Sequence, residues 1–297
     1  MSTRQAIIHT TLLSLLFGLS ACSAPTDIPF TVTVTAPPPA ATVTFTPSPT
    51  PPTATSTPLT CLTQPGVVEE GEISTTNPPQ QYLIYLPPCY AELTDQRYPV
   101  LYLLHGQTFT QDQWVRLGAP QTADRMIHSG RSVPFIVVFP DDRYWNLQGG
   151  AGFGDRLINA LIPYVDENYR TIADRDHRSL GGLSRGGGWT VKLGFERIDL
   201  FGSLGLHSPA VFKDNAPVVE RIIRNIPEES HPRLWLDVGD NDRELASILV
   251  FEEMLTRNYY LHEYHFYSGD HSEIYWAAHV EEYLLWYVEA WNEAEVE

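Results

Sequence analysis

Short runs of apolar residues, bounded by Gly, Pro, Asp or Asn, recur along the chain from about residue 80 onward. Runs of this length with such boundaries are typical of buried β-strands. The run at 100–104 follows Pro99 and precedes His105 and Gly106, as expected of a central strand. The pattern predicts strands at residues 82–86, 100–104, 135–139, 179–183, 201–206, 234–238 and 263–267.

A different periodicity, with apolar residues three and four positions apart, occupies residues 153–169. Leu157, Leu161 and Val165 fall on one face of a predicted helix that ends before Arg170. Strands that alternate with helices indicate a mostly parallel sheet with helices on both faces, in one domain at residues 61–297. Further helices are predicted to begin near Arg185, Ala216, Arg243 and Ser272.

Residues 1–21 have the composition of an export signal. Arg4 precedes an apolar run at 11–19 that is too short for a permanent membrane span. The run ends in Leu-Ser-Ala-Cys at 19–22, which resembles the bacterial lipobox, whose cysteine is acylated on its thiol and becomes the new N-terminus after cleavage. We therefore expect an extracytoplasmic lipoprotein anchored to the cell membrane through Cys22, with an ordinary cleaved signal peptide as the alternative.

The next segment, residues 22–60, is rich in Pro and Thr and contains no Gly, Lys or Arg. Such a composition cannot bury enough apolar surface to offset the entropy lost on ordering, which predicts a disordered tether. Apolar residues alternate at 28–34, so a short strand is a second interpretation there, although nothing obvious pairs with it.

The net charge limits which binding partners are plausible, and the cysteine content indicates the redox state of the compartment. The chain has 36 acidic and 19 basic residues, a formal net charge of −17. Nucleic acids and anionic membrane surfaces are therefore poor partners. Besides Cys22 only Cys61 and Cys89 remain, and an isolated pair in an oxidising compartment is more often bridged than free. We expect a Cys61–Cys89 disulfide, with two buried thiols as the alternative.

Residues 182–186 read Gly-Leu-Ser-Arg-Gly, the pattern of a nucleophile elbow. The flanking glycines let a strand turn sharply into a helix and expose the central serine. The motif alone is weak because it also describes a glycine-rich turn, but here it lies between a predicted strand and a predicted helix. The sequence therefore indicates Ser184 as a nucleophile.

A serine hydroxyl needs a base within hydrogen-bond reach and a third group that orients this base. His271 follows the last predicted strand, where this kind of fold places the base, whereas His207 is a weaker candidate that we expect to line the pocket as a polar group. Asp270 and Glu273 have the spacing of a capping box that would begin the last helix at His271.

Two carboxylates follow the strand at 234–238, and either could orient His271. We favour Asp242, since Asp240 lies directly at the turn, where short acidic side chains cap the local backbone. The order Ser, Asp, His then matches the fold. An oxyanion hole needs two backbone N–H donors, for which we expect Arg185 and Gln107. His105 is expected to shape the loop rather than to catalyse.

The segments at 103–106, 161–171 and 182–187 together resemble the esterase D-like esterases. This group includes feruloyl and acetylxylan esterases, enterochelin esterases, S-formylglutathione hydrolases and mycolyltransferases. The resemblance covers roughly residues 75–290 and implies an α/β-hydrolase fold, metal-free acyl transfer without a cofactor, and a triad of Ser184, Asp242 and His271. One departure is Arg185, where methionine is common. A cation at a helix N-terminus opposes the helix dipole, so it would pair with a carboxylate or a substrate anion.

The leading hypothesis is a secreted serine esterase that hydrolyses small-molecule or polysaccharide esters, with plant polysaccharide acyl groups as the favoured subclass. An envelope acyltransferase of the mycolyltransferase type and a noncatalytic binding protein on a hydrolase scaffold are the alternatives. No His, Cys and acidic residues have a convincing metal-ligand spacing. Four aromatic residues are weak candidates for stacking on substrate rings, namely Trp114, Tyr144, Trp145 and Trp276.

Overall fold

The computed structural model of the protein describes residues 60–294, with side chains described as far as Asn292. The expectations for the signal segment, for Cys22, for the tether up to residue 59 and for a short strand at 28–34 fall outside these residues. Between residues 60 and 294, no helix combines the length and the apolar character that crossing a membrane requires.

Eight strands form one sheet in the order β1-β2-β4-β3-β5-β6-β7-β8. All seven predicted strands are present, as β2 to β8. The strand bounds are β1 Val67–Ile73, β2 Gln80–Leu86, β3 Val100–Leu104, β4 Ile136–Pro140, β5 Arg178–Leu183, β6 Ser203–His207, β7 Arg233–Gly239 and β8 Glu263–Tyr267.

The sheet is parallel from β4 through β3 to β8, while β1 and β2 form an antiparallel edge. The sequence pattern did not predict β1, whose residues are almost all exposed. A strand with few buried side chains has no apolar alternation to detect, and β1 is instead held by its pairing with β2. The central strands β3, β4, β5 and β6 are buried along their whole length, which explains their continuous apolar runs.

Helices cover both faces of the sheet. One face carries α3, α4, α5, α6 and α7, and the other carries α1, α2 and α8. Their bounds are α1 Gln113–Arg116, α2 Ala119–His128, α3 Gly149–Arg156, α4 Ile162–Asn168, α5 Arg185–Glu196, α6 Asn215–Ile223, α7 Leu245–Arg257 and α8 Glu273–Ala294.

The long helix predicted at 153–169 is built from three pieces. Helix α3 is followed by a π-helical turn at Leu157–Leu161 and then by α4. Leu157, Leu161 and Val165 are buried against the sheet, so the predicted apolar face is correct even though the hydrogen-bond pattern changes along it. The extra residue in a π-helical turn widens the helix locally without breaking this face.

A disulfide joins Cys61 and Cys89, whose Cα atoms are 5.0 Å apart. Cys61 lies in a short 3₁₀ turn, Thr60–Thr63, that precedes β1. Cys89 lies just after β2 and is buried. The bridge therefore fixes the start of the described chain to the antiparallel edge of the sheet.

Candidate active site

Ser184 occupies the sharp turn between β5 and α5. Its backbone adopts φ 51° and ψ −118°, a region that side-chain-bearing residues rarely enter. A Cβ on Gly186 would lie 2.3 Å from the carbonyl oxygen of Leu104, and one on Gly182 would lie 2.4 Å from the backbone of Gly186. The two glycines therefore permit a close approach that no other residue type could make.

Ser184, His271 and Asp242 meet in one hydrogen-bonded row. The Oγ of Ser184 lies 2.8 Å from Nε2 of His271. The Nδ1 of His271 lies 2.9 and 3.0 Å from the two carboxylate oxygens of Asp242. Because a carboxylate only accepts, Nδ1 carries the proton, which leaves Nε2 free to accept from the serine hydroxyl. The structure thus brings together the three residues that the sequence grouped.

Asp240 and Asp242 have different contacts although they are two residues apart. Asp240 is exposed and accepts from the N–H of Gly269, at 2.9 Å, within the neighbouring loop. Asp242 is buried and accepts from the N–H of Glu244 as well as from His271. Burial alone would raise the pKa of Asp242, but these hydrogen bonds and the nearby imidazole lower it below its ordinary value. Asp242 is therefore the ionised partner of His271 at neutral pH.

The two expected oxyanion donors come from two different segments next to Ser184. Arg185 begins α5, and Gln107 lies in the loop after β3. Arg185 is the first residue of α5, so its N–H has no acceptor within that helix. The N–H of Gln107 makes no backbone hydrogen bond among residues 60–294. Unpaired N–H groups beside a serine hydroxyl can receive a developing negative charge.

A cavity of about 190 Å³ opens over the serine. Gln107, Phe109, Arg243 and Trp276 line it together with Ser184 and His271. A larger groove of about 510 Å³ runs along α5, but its lining contains neither serine nor histidine. The smaller cavity is therefore the one in which the chemistry of Ser184 can occur.

Only one of the four aromatic residues proposed to stack on substrate lines this cavity. Trp276 does so, and its ring lies edge-on to His271 at 5.0 Å. Trp114 is a residue of α1 and is fully buried in the core, so its proposed contact with substrate is wrong. Tyr144 and Trp145 are half-buried in the segment after β4 and do not contribute to the cavity.

The guanidinium of Arg185 pairs with a carboxylate. Its Nε donates to Oδ2 of Asp142 at 2.8 Å, and the indole N–H of Trp189 donates to the same oxygen. Burial raises the pKa of Asp142 above its ordinary value, while Arg185 and Trp189 act in the opposite direction. The ion pair compensates for the cation at the start of α5 and ties the loop after β4 to the elbow.

His105 shapes its loop, as the sequence predicted. Its Nε2 accepts from the N–H of Asp142 at 2.7 Å, and its Nδ1 donates to the carbonyl oxygen of Gly106 at 2.7 Å. Both ring nitrogens are therefore occupied by backbone groups. The ring holds the loops after β3 and β4 together and lies outside the cavity lining.

His207 was expected to line the pocket, and this is wrong. It is fully buried below the elbow, with Nδ1 2.7 Å from Asp237 and Nε2 3.0 Å from the hydroxyl of Tyr287. Asp237 also accepts from Trp235, Tyr275 and Tyr283. Sequence reasoning missed this network, for which the one available signal was an acidic residue inside an apolar strand.

The proposed capping box at Asp270 and Glu273 is also wrong. Helix α8 begins at Glu273, whose carboxylate accepts from Gln113 and Arg116 of α1 instead of from the backbone of Asp270. Asp270 accepts from the hydroxyl of Ser272. The side chain of Glu273 therefore bonds to residues that are distant in the sequence, and it does not cap the helix as the local spacing predicted. Nothing in the sequence pattern pointed to Gln113.

The chain is similar in sequence to known esterases. The family model described as "Putative esterase" matches residues 73–287. An endo-1,4-beta-xylanase/feruloyl esterase of Xylanibacter ruminicola is 34% identical over 153 residues, 48% of this chain and 20% of that protein. An esterase of Mycobacterium tuberculosis is 33% identical over 135 residues, 42% of this chain and 28% of that protein. The matches thus span less than a third of these relatives.

Solved structures show the same architecture. A ferulic acid esterase superimposes with a TM-score of 0.69 at 22% identity, covering 76% of this chain and 99% of that chain. An S-formylglutathione hydrolase from Staphylococcus aureus gives a TM-score of 0.64 at 19% identity, covering 75% and 96%. At this level of identity the likeness shows the fold, and it confirms the α/β-hydrolase class that the sequence predicted.

Proposed function

Since this chain belongs to the "Putative esterase" family of α/β-hydrolases, we propose that it is a serine esterase that hydrolyses carboxylic esters through an acyl-enzyme. The observation that carries the proposal is the hydrogen-bonded row from Ser184 through His271 to Asp242, at 2.8 and 2.9 Å. Such a row combines a nucleophile, a base and a group that orients the base.

In the first half-reaction, Ser184 Oγ attacks the ester carbonyl while His271 Nε2 takes the hydroxyl proton. The Asp242 carboxylate stabilises the imidazolium, and the N–H groups of Gln107 and Arg185 receive the oxyanion. The bond between the carbonyl carbon and the alkoxy oxygen then breaks. The alcohol leaves with the proton from His271, and the acyl group remains on Ser184.

In the second half-reaction, water attacks the acyl-enzyme. His271 takes a proton from this water, the oxyanion forms again at the same two N–H groups, and the carboxylic acid leaves as the proton returns to Ser184 Oγ. If an alcohol took the place of water, the same enzyme would transfer the acyl group. Analysis of the products in the presence of an added alcohol distinguishes the two reactions.

We place the substrate among acylated polysaccharides, with feruloyl or acetyl groups as the acyl part. The sequence relative from Xylanibacter ruminicola combines a xylanase with a feruloyl esterase. Phe109 and Trp276 offer aromatic surface in the cavity beside Ser184. Aromatic side chains are suited to contact both sugar and phenolic rings.

A panel of p-nitrophenyl esters, methyl ferulate and acetylated xylan tests the activity. Ser184→Ala should abolish turnover of every ester that the wild type accepts, because only the oxyanion donors would remain. Ser179→Ala, in the same buried strand, is the matched control and should retain activity. Turnover by Ser184→Ala within tenfold of the wild type would refute the serine mechanism.

We further propose that the enzyme works outside the cytoplasm, anchored through a lipid on Cys22. The Cys61–Cys89 disulfide supports an oxidising compartment. Cys22→Ser should release the protein from the membrane fraction, as measured by detergent phase partitioning of cell fractions. Unchanged partitioning of this variant would contradict the anchor and leave the esterase proposal intact.

A further inference from the structure

The buried side chain of Gln113 connects two loops of the candidate site. Its Oε1 accepts from the N–H of Gly106 at 2.8 Å, and its Nε2 donates to Oε1 of Glu273 at 3.1 Å. Gly106 directly precedes Gln107, the proposed oxyanion donor. Glu273 lies two residues after His271. One amide group therefore contacts both the oxyanion loop and the segment that carries the base.

The rest of α1 supports the same connection. The indole N–H of Trp114 donates to the carbonyl oxygen of Leu104 at 2.9 Å. The guanidinium of Arg116 lies over the ring of Phe109 at 5.5 Å and donates to Glu273 at 3.0 Å. Helix α1 thus contacts the segment at residues 104–109 at three points, Leu104, Gly106 and Phe109. It also links this segment to the first turn of α8.

Besides α1, the ring of His105 and the hydrogen bond from the Phe109 N–H to the carbonyl oxygen of Gly106 hold this loop, but the residues after Gly106 are less constrained. Gln107 is exposed, and Thr108 has a strained positive φ of 71°. The direction of the Gln107 N–H depends on the peptide plane that begins at Gly106. The carbonyl oxygen of Gly106 lies in that plane and accepts from Nδ1 of His105. The hydrogen bond from the Gly106 N–H to Gln113 fixes the preceding peptide plane, and with it the position of the Gly106 Cα from which the next plane starts. A shift of about 1 Å in a catalytic group is enough to lower a rate a hundredfold.

We propose that Gln113 is a positioning residue, which sets the distance between the oxyanion donor of Gln107 and the imidazole of His271 through its paired contacts with Gly106 and Glu273. The inference rests on the proposed esterase function. Gln113 is fully buried and does not line the cavity, so it acts through the loops rather than by touching the substrate.

Gln113→Met removes both hydrogen bonds and keeps a side chain of similar length. We expect kcat to fall about tenfold to a hundredfold, less than the loss of an oxyanion donor itself, with KM within about threefold. The rate of phosphonylation of Ser184 by a fluorophosphonate should fall by the same factor, because that reaction also builds negative charge on an oxygen. The double variant Gln113→Glu with Glu273→Gln exchanges acceptor and donor, and it should recover most of the rate.

The matched control is Gln80→Met. Gln80 is another fully buried glutamine with both ends of its amide bonded, to Arg156 and to the carbonyl oxygens of Gln81 and Asp141. This variant should lower the melting temperature but leave kcat and the phosphonylation rate of the folded enzyme unchanged. If Gln113→Met is less stable yet keeps both rates, Gln113 is merely structural and the proposal is overturned.

Hydrogen exchange gives a readout that does not depend on activity. Peptides that cover residues 104–112 should exchange faster in Gln113→Met than in the wild type, and Gln80→Met should leave them unchanged. Glu273→Ala, a partly exposed site, is the second variant if Gln113→Met does not fold, and it should show the same change more weakly. Unchanged exchange in this loop overturns the positioning role. A wild type that neither hydrolyses esters nor reacts at Ser184 refutes the proposed function instead.

Discussion

The imidazole of His207 and the carboxylate of Asp237 form a fully buried pair, with Nδ1 2.7 Å from Oδ1. The pair lies directly below the elbow, because the carbonyl oxygen of His207 accepts from the N–H of Ser184 at 3.0 Å. Burial and the charge of Asp237 raise the pKa of the Tyr275 hydroxyl, which therefore stays protonated and donates to Asp237. The carboxylate thus links β6, β7 and the start of α8 under the site.

Asp237→Asn should lower the free energy of unfolding by about 3 to 5 kcal/mol, because an amide N–H₂ would face donors that need an acceptor. Urea denaturation followed by tryptophan fluorescence measures this loss. Asp214→Asn is the control, since Asp214 is exposed and its side chain makes no hydrogen bond among residues 60–294. Equal midpoints for the two variants would contradict the role assigned to Asp237.

Asp242→Asn should lower kcat by about a thousandfold or more, because the imidazole of His271 would take the wrong tautomer. Asp240→Asn should leave kcat within about threefold and reduce stability slightly, since an amide oxygen can still accept from Gly269. Steady-state kinetics on one soluble ester, with folding checked by circular dichroism, compares the two. The opposite ranking would assign the orienting role to Asp240.

The lowered pKa of Asp242 gives its stabilising contribution a definite pH dependence. An acid whose folded-state pKa lies below its unfolded value of about 3.9 stabilises the fold fully above that value. The contribution is lost as the pH falls through the folded-state pKa. The difference in unfolding free energy between wild type and Asp242→Asn should therefore be larger at pH 5 than at pH 3. Urea titrations at both pH values test the sign, and a difference that grows toward pH 3 would be inconsistent with it.

The Cys61–Cys89 disulfide closes a loop with a sequence separation of 28. In the chain-entropy model such a crosslink stabilises by about 3 to 4 kcal/mol. The double variant Cys61→Ser with Cys89→Ser should unfold at correspondingly lower urea concentration and keep its activity, since neither residue is near the cavity. Dithiothreitol should bring the wild type to the stability of the variant. A wild type that is insensitive to the reductant would rule out this contribution.

Features that depend on neighbouring residues could be predicted from the amino-acid sequence. The glycines at 182 and 186 mark the elbow because the turn they permit is complete within five residues. Strands β2 to β7 were predictable because each is a short, largely buried apolar run with clear boundaries, and β8 was predicted as well although none of its side chains is buried. The positions of Ser184, Asp242 and His271 follow from these strands, since each residue lies just past a strand's carboxyl end. The family resemblance, confirmed by the match to residues 73–287, rests on the same local motifs.

Contacts between side chains that are far apart in the sequence could not be predicted in this way. Gln113 and Glu273 are 160 positions apart, and His207 reaches Asp237 across 30. A buried polar group bonds to whichever partner the packing brings within reach. The positions of Glu273 and His207 in the sequence therefore led to the wrong hydrogen-bond partner for Glu273 and to the wrong prediction that His207 lines the pocket. Edge strand β1 was missed for a related reason, because its stability comes from backbone pairing with β2 rather than from an apolar face. Long-range contacts leave no periodic trace in a sequence, since they depend on how whole elements pack.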